Sequence, residues 1–243
     1  MKYLLTILIM IPSLVSAQSA QEIIRMVDRN ERYVTQKYSV TMIITKGKRE
    51  LKKTFYGYGQ KKGEKSLIVF TNPEDRGVRY LKLDQELWIY FPDADDIMKI
   101  SGHMLRQGMM GSDISYEDML ESGDFEKKYA CVLLPEQVID GRPCFVVNCT
   151  AKVRDATYAR QVLFVDRQRY VPVKIDMYAK GGRLLKRMTL SDMKNISGRI
   201  VPMTIKIRDM RKRGTGTVVR FRSISFDVPL DAGTFTRRSL RRK

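Results

Sequence analysis

His103 is the one histidine among 243 residues, and it stands beside Met104 with Met109 and Met110 close behind. Imidazole and thioether ligands together suit Cu(I). Methionines number 14 throughout the chain, so this grouping says little about metal, and the copper reading falls. Nucleophilic catalysis has no better footing. No Ser or Cys accompanies His103 in a motif context, and HExxH, P-loop and GxGxxG patterns are absent. Cys131, Cys144 and Cys149 include no CxxC pair and lie far from the histidine, which argues against a metal site. Cys144 and Cys149 are five apart in an apparent strand and face opposite sides. Cys131 could bridge to either of them from a neighbouring strand, but buried, unpaired thiols are the default expectation. Asp93-Ala94-Asp95-Asp96 could attract a divalent cation, yet reads more simply as a turn between strands. The chain is expected to be no enzyme and to need no cofactor or metal. Binding is the chemistry that remains.

Two residue classes could do that binding. One is apolar: Tyr80, Trp88, Tyr90 and Phe91, and then the stretch SGHMLRQGMMGSDISYEDMLES from Ser101 to Ser122, rich in methionine and glycine. By strand alternation Trp88 and Tyr90 share one side and Phe91 takes the other, and either side could line a cavity. Met104, Leu105, Met109 and Met110 would suit a mobile lid, because methionine repacks around loosely shaped apolar ligands. The other class is basic. The formal net charge is +18, with concentrations at Lys46 to Lys53, at Arg208 to Arg213, and at Arg237, Arg238, Arg241, Arg242 and Lys243. Such a surface fits anionic lipid headgroups or an acidic protein. The last five are expected to form a mobile tail that docks transiently on an anionic membrane.

The elements that must position these residues are mostly strands. Residues 1–17, MKYLLTILIMIPSLVSA, read as a secretory signal peptide: Lys2 ahead of an apolar run from Leu4 to Ile11, then Val15-Ser16-Ala17 as a cleavage site. The run is too short to span a bilayer, and no acylable Cys follows. Export to the periplasm is expected, and nucleic acid is demoted as a partner of the positive charge. No linker divides the remainder, so 18–243 reads as a single domain. Ser19 to Val34 suggests an amphipathic helix with Ser19 as N-cap, Glu22 three residues on, and Ile23, Met26, Val27, Asn30, Tyr33 and Val34 on one face. After it a period of two recurs, as in Tyr38-Val40-Met42-Ile44, Val173-Ile175-Met177, Leu184-Met188-Leu190 and Val201-Met203-Ile205-Ile207. Turn signals separate about ten or eleven such strands. Half of each strand is apolar, so one antiparallel sheet must curl into a closed or half-closed barrel, and a helix can fill its mouth. Within 101–122, Asp113 could cap a short helix from Ile114 to Leu120.

In order along the chain stand Arg79-Tyr80-Leu81, Leu87-Trp88-Ile89-Tyr90-Phe91-Pro92, Met98-Lys99-Ile100-Ser101 and Gly111-Ser112-Asp113-Ile114-Ser115-Tyr116-Glu117-Asp118. This sequence resembles the outer-membrane lipoprotein-sorting protein family, the LolA-like group associated with RND-type exporters. The resemblance implies a curved, half-open antiparallel β-barrel covered by short helices. It also implies a periplasmic carrier that holds the acyl chains of a lipoprotein or another lipid and moves it toward the outer membrane. Its partners would be an RND-type exporter or an outer-membrane acceptor. A non-enzymatic lipid-sensing or adaptor module of the same fold, working with such an exporter or a signalling protein, is the alternative.

Overall fold

The structure, a computed structural model, describes residues 18–121, 125–154 and 156–242. The leader reading of 1–17 and the basic Lys243 lie outside them. Helix α1 (Ala20–Glu31) opens as the sequence directs: the Ser19 hydroxyl accepts from the Glu22 amide, and the Glu22 carboxylate accepts from the Ser19 amide. The helix stops three residues sooner than expected. Arg32 is already extended, so the face is closed by Ile24 with Ile23 and Val27, while Val34 is 68% exposed.

Thirteen strands follow, two or three more than the turn signals suggested. They are β1 (Thr35–Lys46), β2 (Arg49–Gln60), β3 (Lys65–Phe70), β4 (Arg79–Leu83), β5 (Glu86–Phe91), β6 (Asp96–Ile100), β7 (Tyr129–Ile139), β8 (Arg142–Ala151), β9 (Arg160–Asp166), β10 (Pro172–Tyr178), β11 (Leu184–Ile196), β12 (Arg199–Asp209) and β13 (Thr215–Phe226). All belong to one antiparallel sheet in the order β6-β5-β4-β3-β2-β1-β13-β12-β11-β10-β9-β8-β7. The first strand pairs with the last at mid-sheet, and β6 and β7 are free edges. The barrel is therefore open, not closed. Between β6 and β7 run short 3-10 turns at Gly102–Arg106 and Met109–Gly111, helix α2 (Tyr116–Leu120) and the single turn α3 (Phe125–Lys128). Ser115, not Asp113, caps α2. Its side chain accepts from the Asp118 amide, while Asp118 reaches back to the Ser115 amide, as a capping box requires.

Strand alternation sorts the core between two faces. On the helix-covered face, Val40, Met42, Ile44, Phe55, Phe70, Tyr80, Ile89, Ile207 and Val219 form one cluster, roofed by Met109 and Tyr116. Tyr129, Cys131, Phe145, Val147, Cys149, Leu163 and Val165 form a second, roofed by Ala20, Ile23, Ile24 and Val27 of α1.

Three expectations need correction here. Cys131 and Cys149 are directly opposed in the β7–β8 ladder and form a disulfide, leaving only Cys144 as a buried thiol. The register brought the two sulfurs together, which the spacing of the cysteines alone could not reveal. The C-terminal segment is no mobile tail. Arg237–Arg241 forms a 3-10 turn on the outer face, with Leu240 fully buried beside Leu67, Val69, Leu81 and Trp88. The Arg79 guanidinium donates to the Ser239 and Leu240 carbonyls at 2.9 and 3.2 Å, and Arg241 pairs with Asp95 at 3.0 Å. One apolar residue among the arginines found an apolar seat, and the chain followed it. Third, Trp88 and Tyr90 belong to that outer-face cluster, so their side of β5 is covered by the C-terminal segment and faces away from the helices.

Candidate functional site

A cavity of about 590 Å³ lies on the helix-covered face, at the seam between the two roofs. Its floor comes from four consecutive strands: Met177 of β10, Met188 of β11, Ile205 and Ile207 of β12, and Val219 of β13. Ile114, Met119 and Phe125 form the opposing wall. These floor positions sit on the apolar face for the same reason the strands were legible, since alternate residues of each point one way. The volume lies within the range of small-molecule and lipid-sized pockets.

One end of the cavity is polar and tightly ordered. Lys186 interrupts the apolar face of β11 and is almost fully buried, its side chain 4% exposed. Its ammonium pairs with the Asp118 carboxylate and donates to Ser115 Oγ at 3.0 Å. Asp118 also accepts from the Ser115 amide at 2.7 Å and from the Tyr158 hydroxyl. Burial, and then the neighbouring Asp118 carboxylate, push the Tyr158 phenol far above its ordinary range. Three residues further on from Asp118, Glu121 accepts from Thr157 and from Lys128 at 3.0 Å. Lys82 of β4 donates to the Leu120 carbonyl at 3.1 Å. Its burial, and then Lys128, lower its ammonium to about 8. At the mouth, Lys62 pairs with Asp28 and, at 3.6 Å, with Glu31. The charges that line the cavity are thus neutralised in pairs, and its open surface is mainly apolar.

This geometry explains the Gly-Ser-Asp-Ile-Ser-Tyr-Glu-Asp segment without catalysis. Gly108 bridges to Ser115, and a Cβ there would fall 2.0 Å from the Ser112 carbonyl oxygen. The Asp113 amide donates to Thr217 Oγ1 at 2.8 Å, Tyr116 meets the Tyr80 hydroxyl at 3.3 Å, and Asp118 is the hub. Asp113, Tyr116 and Asp118 each tie the roof to the sheet.

Of the residues read as cavity or lid, Met109 is buried in the core cluster, and Tyr80, Met104, Leu105 and Met110 pack with it. None lines the cavity; the segment contributes to it only through Ile114, Asp118, Met119 and Glu121. Arg237 and Arg238 are exposed, and Arg242 lies 3.9 Å from Asp231. The acidic stretch at 93–96 forms the β5–β6 turn through Asp95 and opens β6 with Asp96, and Asp95 is held by Tyr90 and Arg241. Among the described residues no group of three or more His, Cys, Asp or Glu could hold a metal, and no helix is long and apolar enough to cross a membrane. The floor was missed although one signal marked it: a lysine standing where Leu184-Met188-Leu190 should continue.

A family model described as an uncharacterized protein matches residues 62–242. No curated protein matches the chain. Among solved structures, a DUF1329 family protein from Desulfovibrio piger is 28% identical, with a TM-score of 0.82 over 91% of this chain and 97% of its own. A putative outer membrane lipoprotein-sorting protein domain from Vibrio parahaemolyticus is 22% identical, with a TM-score of 0.80 over 92% of this chain and all (100%) of its own. A LolA superfamily protein from Nitrosomonas europaea is 24% identical, with a TM-score of 0.75 over 92% and 100%. The fold is shared with all three.

Proposed function

The chain belongs to the family whose model, described as an uncharacterized protein, spans residues 62–242, and we propose that it is a periplasmic lipid carrier. Cleavage after Ala17 releases residues 18–243 as one domain. The cavity takes the acyl chains of a lipoprotein or another lipid, and the carrier moves them toward the outer membrane without a chemical reaction. The observation that carries this reading is the apolar cavity of about 590 Å³ on a sheet of this fold. Burying an aliphatic chain is worth about 0.8 kcal/mol per CH₂, so about 14 carbons give near 11 kcal/mol before ordering costs. Three methionines, Met119, Met177 and Met188, line the cavity and let it accept chains of differing shape.

The test is uptake of a fluorescent fatty acid. Met119→Asp on the wall and Met188→Trp on the floor should each weaken uptake at least tenfold while thermal melting stays cooperative. Folded variants that take up the probe like the parent would remove the cavity from the reading. N-terminal sequencing of exported protein should begin at Gln18.

One observation favours a second reading, an adaptor working with an exporter. Edge strand β7 exposes Val132, Leu133, Leu134 and Val138, and exposed apolar edges invite strand addition. Native mass spectrometry separates the two. Co-purified lipid supports the carrier, whereas lipid-free protein bound to a partner supports the adaptor.

A further inference from the structure

The outer face of the central strands carries a concentration of unpaired positive charge. Alternation places Lys52 of β2, Lys206 and Arg208 of β12, and Arg220 and Arg222 of β13 opposite the helices, and all five are exposed. The register shows how they group. Lys52 is opposite Ile43, Ile43 opposite Val218, and Val218 opposite Lys206. Arg220 lies between Thr41 and Thr204 in the next row, and Arg208 faces Arg187. With strands about 4.8 Å apart, the charges from Lys52 to Lys206 span about 14 Å. The carboxylates on this face do little to offset them. Asp176 is buried and already bound by Arg187 at 2.6 and 2.8 Å, and Glu50, two residues from Lys52 on the same face of β2, is a single exposed carboxylate beside the five basic side chains. Arg222 donates to Thr41 Oγ1 at 2.6 Å. Among the described residues, Lys52, Lys206, Arg208 and Arg220 make no ion pair.

We propose that this outer face docks on the anionic headgroups of a membrane leaflet. The surroundings of the charges select that occupant. Thr41 and Thr204 flank Arg220, and the apolar residues between Lys52 and Lys206, Ile43 and Val218, are half-buried and offer no exposed anchor. A protein partner needs an apolar or aromatic anchor at the centre of its interface, where lysine is depleted. A single-stranded nucleic acid needs aromatic platforms. A field of lysine, arginine and hydroxyl groups on a rigid sheet meets a layer of phosphates without either. The cavity opens on the other face of the same sheet, so docking leaves it accessible to the aqueous side.

The experiment is co-sedimentation of the purified protein with vesicles of phosphatidylcholine alone or mixed with phosphatidylglycerol, at low and high salt. The parent should bind only the anionic vesicles and release at high salt. Each basic residue lost should weaken binding about fivefold, so Lys52→Gln/Lys206→Gln/Arg208→Gln/Arg220→Gln together should abolish measurable binding. Arg237→Gln/Arg238→Gln on the C-terminal turn should cost far less. The four sites are exposed and outside the cavity, so melting and fatty-acid uptake should match the parent, which separates this proposal from the carrier reading. Vesicle binding by the quadruple variant equal to the parent's would overturn it. So would equal binding to phosphatidylcholine alone, loss caused chiefly by the C-terminal pair, or binding to soluble polyglutamate without binding to vesicles.

Discussion

The two roofs on one sheet face are held by opposite means. Helix α1 covers β7–β9 with aliphatic side chains, and its polar ties lie along its margins: Gln21 with the Cys131 carbonyl, Arg25 with Glu126, Asp28 and Glu31 with Lys62, and Asn30 with the Arg169 and Tyr170 carbonyls and the Ile200 amide. The 101–121 segment covers β1–β6 with methionines, and polar groups fasten it at the buried Asp113 and Ser115 and the half-buried Asp118 and Glu121. Isoleucine has few rotamers and specifies its own seat, whereas methionine does not. A methionine roof needs directional bonds to select one position. The cavity opens where the two solutions meet.

The sharpest way to break this contrast is Lys186→Met. Removing one member of a buried pair costs about 3 to 5 kcal/mol, and the 101–121 segment should then exchange its amides before α1 does. Adding Asp118→Asn should recover part of the loss. Equal exchange in parent and variant would mean that the segment is held by its methionines after all. For the other roof, Ile23→Ala should cost about 3 kcal/mol and lower the melting transition as a whole, with no selective opening of 101–121. A comparable effect should follow Cys131→Ser with Cys149→Ser, about 3 kcal/mol for two residues 18 apart. Faster exchange should begin in β7 and extend to α1, which rests on that strand. Loosening first in the methionine roof would reverse the assignment.

What could be read from the sequence followed local physics. The capping box at Ser19 and Glu22, the strand alternation and the turn residues are short-range signals, and they gave one antiparallel sheet, expected to be closed or half-closed, with a leading helix. The disulfide, the burial of Leu240 and the covering of Trp88 depend on which strand lies beside which. No spacing along the chain encodes that. The charged hub was half visible. Ser115 and Asp118 form their capping box locally, but Lys186 and Tyr158 reach it from 71 and 40 residues away. The motif could be noticed, and its purpose could not.

The smallest effect concerns Lys82, beneath the end of α2. Burial lowers its ammonium from an ordinary 10.5 to about 8. The unfolded chain keeps this proton up to about pH 10.4, while the folded protein releases it near 8. Between those values the unfolded state binds more protons, so stability rises with pH. Below about 8 both states are charged and the penalty is constant. Above about 10 the trend reverses, because Tyr80 and Tyr158 are held neutral by burial while unfolded tyrosines ionise. Urea denaturation should therefore show a gain of about 1 kcal/mol from pH 8 to 9 and a maximum before 10. Lys82→Met should be flat across that window, since it has no proton to lose. A parent profile as flat as the variant's would show that Lys82 is not desolvated, and that the Leu120 carbonyl is held by a fully solvated charge. A matching rise in both proteins would assign the gain to another group. The predicted difference marks the cost of fastening a methionine roof with a buried ammonium, a cost that the aliphatic contacts of α1 do not carry.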